Sequence, residues 1–314
     1  MRITNGMMIN TYLKNLNRNM GAMDAHQERL ATARRINKLS DDPVGAIKVL
    51  TARAKLSANE QYQKNISDAK YWLAQTESQI LQLNEGLKRA AELAVNIGND
   101  VFSEEDRQAA AVEIGQIRDQ IITSVNGSFN DYFLFGNYNV TQRPFAAVPG
   151  DGATPAKVLF NGVDLITANP GDIETEVRHF EIGFGLDFDV SIEGPHIMGF
   201  GEENLYKILD DLYQAANSNE YSGDKIRSMI TSLGKAQERV LAADATVGGR
   251  INRLEFMEEC YGIDRINYTQ TLSDVEDLDM GEAIISFSMM EAVYRASLSV
   301  GGRVIQPSLM DFLK

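Results

Sequence analysis

Apolar residues near the start of the chain recur at alternating spacings of four and three, at Ile9, Leu13, Leu16, Met20, Met23 and, after Gln27, Leu30. This is the heptad stripe of a helix that packs lengthwise on another helix. A second stripe runs through Tyr62, Ile66, Ala69, Leu73, Thr76, Ile80, Leu83, Leu87, Ala90, Ala94 and Ile97, and Gly98, Asn99 and Asp100 then stop it. Ser103-Glu-Glu-Asp106 has the capping-box pattern that restarts a helix, here toward Ile114, Ile117 and Ile121. The third stripe places Ile226, Leu233, Val240, Val247, Leu254, Tyr261, Tyr268 and Val275 one heptad apart. It predicts a single helix of roughly 75 Å at 1.5 Å per residue. Gly248 and Gly249 are its weak point, each costing ~1 kcal/mol relative to alanine. In the centre the period changes to two. Ile182, Phe184, Leu186, Phe188, Val190 and Ile192 alternate with small or polar residues and predict one strand. Lys157 to Phe160, followed by Asn161-Gly162, predicts a second strand ending in a turn.

Proline divides the chain in the same way. Of its 7 prolines, Pro144, Pro149, Pro155, Pro170 and Pro195 fall in the central segment, and only Pro43 and Pro307 lie outside it. The removal of a backbone donor makes proline hostile to helix interiors, so the flanking thirds are expected to be helical. The expected fold is therefore mainly α, a long antiparallel helical rod or coiled-coil bundle built from the N- and C-terminal parts, with a small β-rich insertion. The expected division is 1–42 with 276–314 as a terminal helical region, 43–137 with 199–275 as the helical rod, and 138–198 as the insertion. The terminal stripe has a mate in Met280, Ile284, Phe287, Tyr294, Leu298, Ile305, Leu309 and Phe312. A two-helix arm has one seam, yet Met7, Met8, Val293, Val300 and Val304 lie off it, which predicts apolar surface that associates with other copies.

Composition narrows the chemistry. The 314 residues are 44% hydrophobic, enough for a sizeable core. Lys and Arg total 30 against 44 Asp and Glu, and the net charge of -14 has the wrong sign for nucleic acid or an anionic membrane surface. Cys260 is the sole cysteine, so no internal disulfide can form. Neither a secretory leader nor an apolar run of spanning length is expected. The three histidines, His26, His179 and His196, are dispersed and form no zinc motif. The Gly183-x-Gly185 and Gly199-x-Gly201 pairs lack the third glycine of a nucleotide loop. Asp274, Glu276, Asp277 and Asp279 read as a solvated helix start rather than a calcium site. Asp42 before Pro43 reads as a helix start at a joint between two helices. Tyr71 and Trp72 read as packing residues. No catalytic, cofactor-binding or metal residue and no small-molecule substrate is expected.

Four stretches carry a resemblance to the bacterial flagellin family. Arg35-Ile36-Asn37-Lys38-Leu39-Ser40-Asp41-Asp42-Pro43 resembles the family's signature at the joint between the outermost helix and the next. Leu134-Phe135-Gly136 through Arg143-Pro144-Phe145 resembles the passage into the outer domain, with Phe133 where tyrosine is common. Val247 to Glu255 is similar to a segment of the C-terminal rod helix, and Leu272 to Ile284 with Ser308 to Leu313 resembles the hook-associated branch of the family. The resemblance implies a structural, non-enzymatic subunit at the junction of hook and filament. It further implies export in unfolded form without a cleaved signal, an extracellular location in the flagellum, and folding completed by assembly. The implied partners are a ring of identical subunits, a neighbouring hook-associated protein, flagellin and an export chaperone. Ile9, Leu13, Leu16, Met20, Met23, Leu30, Ile284, Phe287, Tyr294, Leu298, Ile305, Leu309 and Phe312 are the expected polymerisation interface. Arg35, Ile36, Asn37, Asp41, Asp42 and Pro43 are the expected joint motif. A filament flagellin and, more remotely, an exported enzyme with its site in 138–198 are the alternative readings.

Overall fold

A computed structural model describes residues 5–98, 103–137, 139–150, 155–173, 178–218 and 223–304. The fold is 73% helical, with seven helices and a few small antiparallel sheets among the described residues. Two compact units form, Met1–Glu60 with Gly262–Lys314, and Gln61–Tyr261. The two longest helices, α2 (Pro43–Gly98) and α6 (Gly223–Glu276), contribute residues to both.

In the second unit the helical stripes become the core. Ile66, Ala69, Leu73, Ile80, Leu83, Leu87, Ala90, Ala94 and Ile97 of α2 are fully buried, as are Ile226, Val240, Val247 and Leu254 of α6. Helix α6 runs unbroken through Gly248 and Gly249. Helix α3 (Glu104–Val125) starts as its sequence requires. The Ser103 hydroxyl accepts from the Asp106 backbone N–H at 3.2 Å, and the Asp106 carboxylate accepts from the Ser103 backbone N–H at 3.3 Å. After the short helix α4 (Gly194–Met198), helix α5 (Leu205–Asn217) starts at Asn204, whose side-chain oxygen accepts from the backbone of Tyr206 and Lys207. It packs on α3 through Leu205, Ile208, Leu209 and Leu212. Between these two helices the Arg118 guanidinium donates to the buried Asp210 carboxylate at 2.5 Å and lies 5.4 Å from the rings of both Tyr206 and Tyr213.

The central segment is a set of short hairpins rather than a separate sheet layer. Strands β1 (Ser128–Phe129) and β2 (Tyr132–Phe133) pair antiparallel. Strands β3 (Phe145–Val148), β4 (Lys157–Phe160) and β5 (Val163–Asp164) form an antiparallel sheet in that order. The β4–β5 turn has Asn161 at φ +47° and Gly162 at φ +89°, the left-handed pair that such a tight turn requires. Asn126, which closes α3, accepts from the Phe145 N–H at 2.9 Å and donates to the Phe145 carbonyl at 3.0 Å, so β3 is tied directly to a helix end. Phe145, Val158, Phe160, Leu165, Ile182, Val190 and Ile192 join the same hydrophobic cluster as the helices.

Two sequence expectations are corrected. Ile182 to Ile192 is not one strand. It folds into a hairpin of β6 (His179–Gly183) and β7 (Leu186–Asp189), because Gly185 at φ +65° permits a turn, and Phe184 at its tip is 97% exposed. The acidic cluster is not a helix start as a whole. Helix α6 continues to Glu276, and only Asp279 caps the next helix, α7 (Met280–Val304), by accepting from the N–H groups of Gly281 and Glu282 at 2.9 and 3.1 Å. Glu276 is buried.

Candidate assembly surface and helix joint

In the first unit α1 (Asn5–Thr32) and α7 pack antiparallel, Tyr12 meeting Ser297 while Ala33, just past α1, meets Leu278. The α1 seam is a heptad pattern of half-buried Ile9, Tyr12, Leu16, Asn19, Met23, His26 and Leu30. The facing pattern on α7 is Ala283, Phe287, Met290, Tyr294, Ser297 and Gly301. Polar groups in the seam are satisfied across it, the Tyr12 hydroxyl donating to the Ser297 carbonyl at 3.0 Å and the Asn19 amide to the Ser297 hydroxyl at 3.1 Å. Gly301 is required there, since a β-carbon would collide with the Tyr12 ring.

The expected interface residues therefore divide into two sets. Ile9, Leu16, Met23, Leu30, Phe287 and Tyr294 line the seam. Leu13, Met20, Ile284 and Leu298 face outward, together with Met7, Met8, Ile285, Met289, Val293 and Val300, all between 44% and 63% exposed. Ile305, Leu309 and Phe312 lie outside the described residues. One helix pair thus carries an internal seam and a long outward row of large apolar side chains. Contiguous apolar surface of this kind commonly marks a site of protein–protein contact.

The joint follows. Helix α1 ends with Ala33 in the left-handed region at φ +54°, and the chain from Arg34 to Asp42 is pinned to the end of α6. The Arg35 backbone N–H donates to the Glu276 carbonyl at 2.7 Å, and its guanidinium donates twice to the Val275 carbonyl at 3.2 and 2.9 Å. The Asp41 carboxylate accepts from the backbone of Asn37 and Lys38 at 3.1 and 3.0 Å, and these N–H groups hold its pKa below the ordinary value. Asp42 caps α2 by accepting from the Gly45 N–H at 2.9 Å, which lowers its pKa, and Arg35 adds to the effect. Pro43 occupies the first helical position, and Ile36 is half-buried against Gly45, where a β-carbon would strike both Ile36 and Asp42.

At the centre of the joint stands a residue that the sequence pattern missed. The Glu276 carboxylate is 4% exposed and receives Arg34 Nε at 2.7 Å and the Arg53 guanidinium, so a loop, α2 and α6 meet on one buried charge. No local spacing signals this convergence, because the partners come from both ends of the chain. Among the described residues, no group of three or more His, Cys, Asp or Glu is placed to hold a metal, and no helix is long and apolar enough to cross a membrane.

Residues 3–139 match the model of the bacterial flagellin N-terminal helical region. The chain is similar to flagellar hook-associated protein 3 of Escherichia coli (strain K12), with 24% identity over 311 residues and 95% of each chain covered. Its fold is similar to the crystal structure of FlgL from Bacillus cereus, with a TM-score of 0.56 and 21% identity, covering 71% of this chain and 99% of that one. It is also similar to the flagellar junction protein FlgL from Legionella pneumophila, with a TM-score of 0.59 and 13% identity, covering 73% and 100%.

Proposed function

We propose that this chain is the structural subunit that joins the hook-associated ring of a bacterial flagellum to its flagellin filament, and that it has no enzymatic role. The observation that carries this reading is the outward apolar row of the α1–α7 pair, joined to similarity with hook-associated proteins along nearly the whole chain. The chain leaves the cell unfolded, with an export chaperone holding its C-terminal end, and works outside the cell as part of the flagellum. Once delivered, Leu13, Met20, Ile284, Leu298 and their exposed neighbours are covered by identical subunits, by the adjacent hook-associated protein and by flagellin. Residues 1–42 with 276–314 supply that contact, 43–137 with 199–275 form the helical body, and 138–198 faces outward. The Arg35, Asn37, Asp41 and Asp42 turn, fastened at Glu276, sets where the terminal helices leave α2 and α6.

The test is a strain lacking the gene. Hooks should be present, filaments absent, and flagellin shed into the medium, with filaments restored by supplying the chain. Elongation of long filaments by the purified chain added to filament seeds would reassign it as a flagellin.

A further inference from the structure

The surface of the second unit holds a cavity of about 280 Å³ next to the β1–β2 hairpin, and the flagellar reading makes no use of it. At its centre the Arg178 guanidinium lies 4.7 Å from the Trp72 ring, 5.1 Å from Phe180 and 5.4 Å from Tyr132. Stacking of this kind uses the faces of a guanidinium and leaves its in-plane N–H fork free. No carboxylate among the described residues is within ion-pair distance of that fork. Trp72 is 3% exposed, and its indole N–H is buried with no acceptor. The Arg178 guanidinium therefore has no anionic partner among the described residues, within a ring-lined cavity where a charge-assisted hydrogen bond is stronger than in bulk solvent.

We propose that this cavity is a socket for a single side-chain carboxylate, a glutamate or aspartate presented by an adjacent protein chain. The volume fits one side chain and is smaller than most small-molecule sites. Tyr71 and Tyr132, exposed on the rim, supply the aromatic contact area that protein partners use. Asp68, on the same rim, repels a doubly charged phosphate more strongly than a singly charged carboxylate. Arg178 provides the bidentate contact, and the three rings fix its orientation.

Trp72 is the only tryptophan of the chain, so its fluorescence reads this site alone. The full-length protein is titrated with the end-capped tripeptide Gly-Glu-Gly, with its Gly-Gln-Gly counterpart and with inorganic phosphate. The glutamate peptide should give a saturable change with a midpoint at least tenfold below those of the other two, and Arg178→Gln should abolish that preference. No saturable change, equal midpoints, tighter phosphate binding, or a preference that survives in Arg178→Gln would overturn the proposal. If Arg178→Gln loses its circular dichroism, Arg178→Lys decides, because it keeps the charge without the fork. A midpoint at least tenfold higher in that variant supports the socket, and an unchanged midpoint overturns it.

Discussion

Glu276 shows how much of the joint rests on one side chain. Two guanidiniums, each about half exposed, converge on a carboxylate that solvent barely reaches. Replacing it by alanine removes the acceptor but leaves both arginines able to hydrate, so the loss is of the order of an unmade charged hydrogen bond, about 1–3 kcal/mol. Glu276→Ala should therefore leave the second unit folded while speeding proteolytic cleavage between residues 33 and 42, as limited proteolysis would record. Tyr206 offers a pH handle on the other unit. Burial, the main cause, pushes its pKa up to about 12, so the folded chain keeps a proton that the unfolded chain releases near pH ~10. The stability this gives is fully present below about pH 10 and is lost as pH rises toward 12. Denaturant midpoints measured across that interval should fall in the native protein, and Tyr206→Phe should flatten the fall. Neither residue was legible in advance. Glu276 sat in an acidic run that resembled solvated surface, and burial of Tyr206 depends on α5 meeting α3.

At the level of elements, what local chemistry decides was readable. The Ser103 cap, the Asp42-Pro43 start and the Asn161-Gly162 turn each depend on residues within four positions of one another. Ser103→Ala should lower stability by about 1 kcal/mol, the usual worth of an N-cap, with a matching loss of helix content in thermal melts. The terminal stripe was only half readable. On α1 the line Leu13, Met20 and Gln27 runs beside the line Tyr12, Asn19 and His26, and an apolar pattern selects the first. The helix pair turns the second inward, because the Tyr12 hydroxyl and the Asn19 amide find acceptors on Ser297. The more apolar line is left facing out. The β6–β7 hairpin was missed for a related reason, since strict alternation continues through Gly185 while the backbone turns there.

Across the whole molecule, the helical stripes of α2 and α6 settled the mainly helical fold, because burial of a continuous heptad face needs no knowledge of partners. The outward row on α1 and α7 is different in kind. Its side chains are large, apolar and exposed, and no burial within the chain accounts for their pattern. The central claim is that this row is the assembly surface, and Leu298→Asp tests it most directly. Leu298 is 47% exposed and outside the α1–α7 seam, so a charge there should leave circular dichroism and melting of the isolated protein unchanged. Buried against another subunit, the same carboxylate would be uncompensated and would cost several kcal/mol, roughly 3–5. Electron microscopy of cells carrying only this variant should show bare hooks, with flagellin in the medium. Hooks bearing filaments of normal number and length would contradict the account.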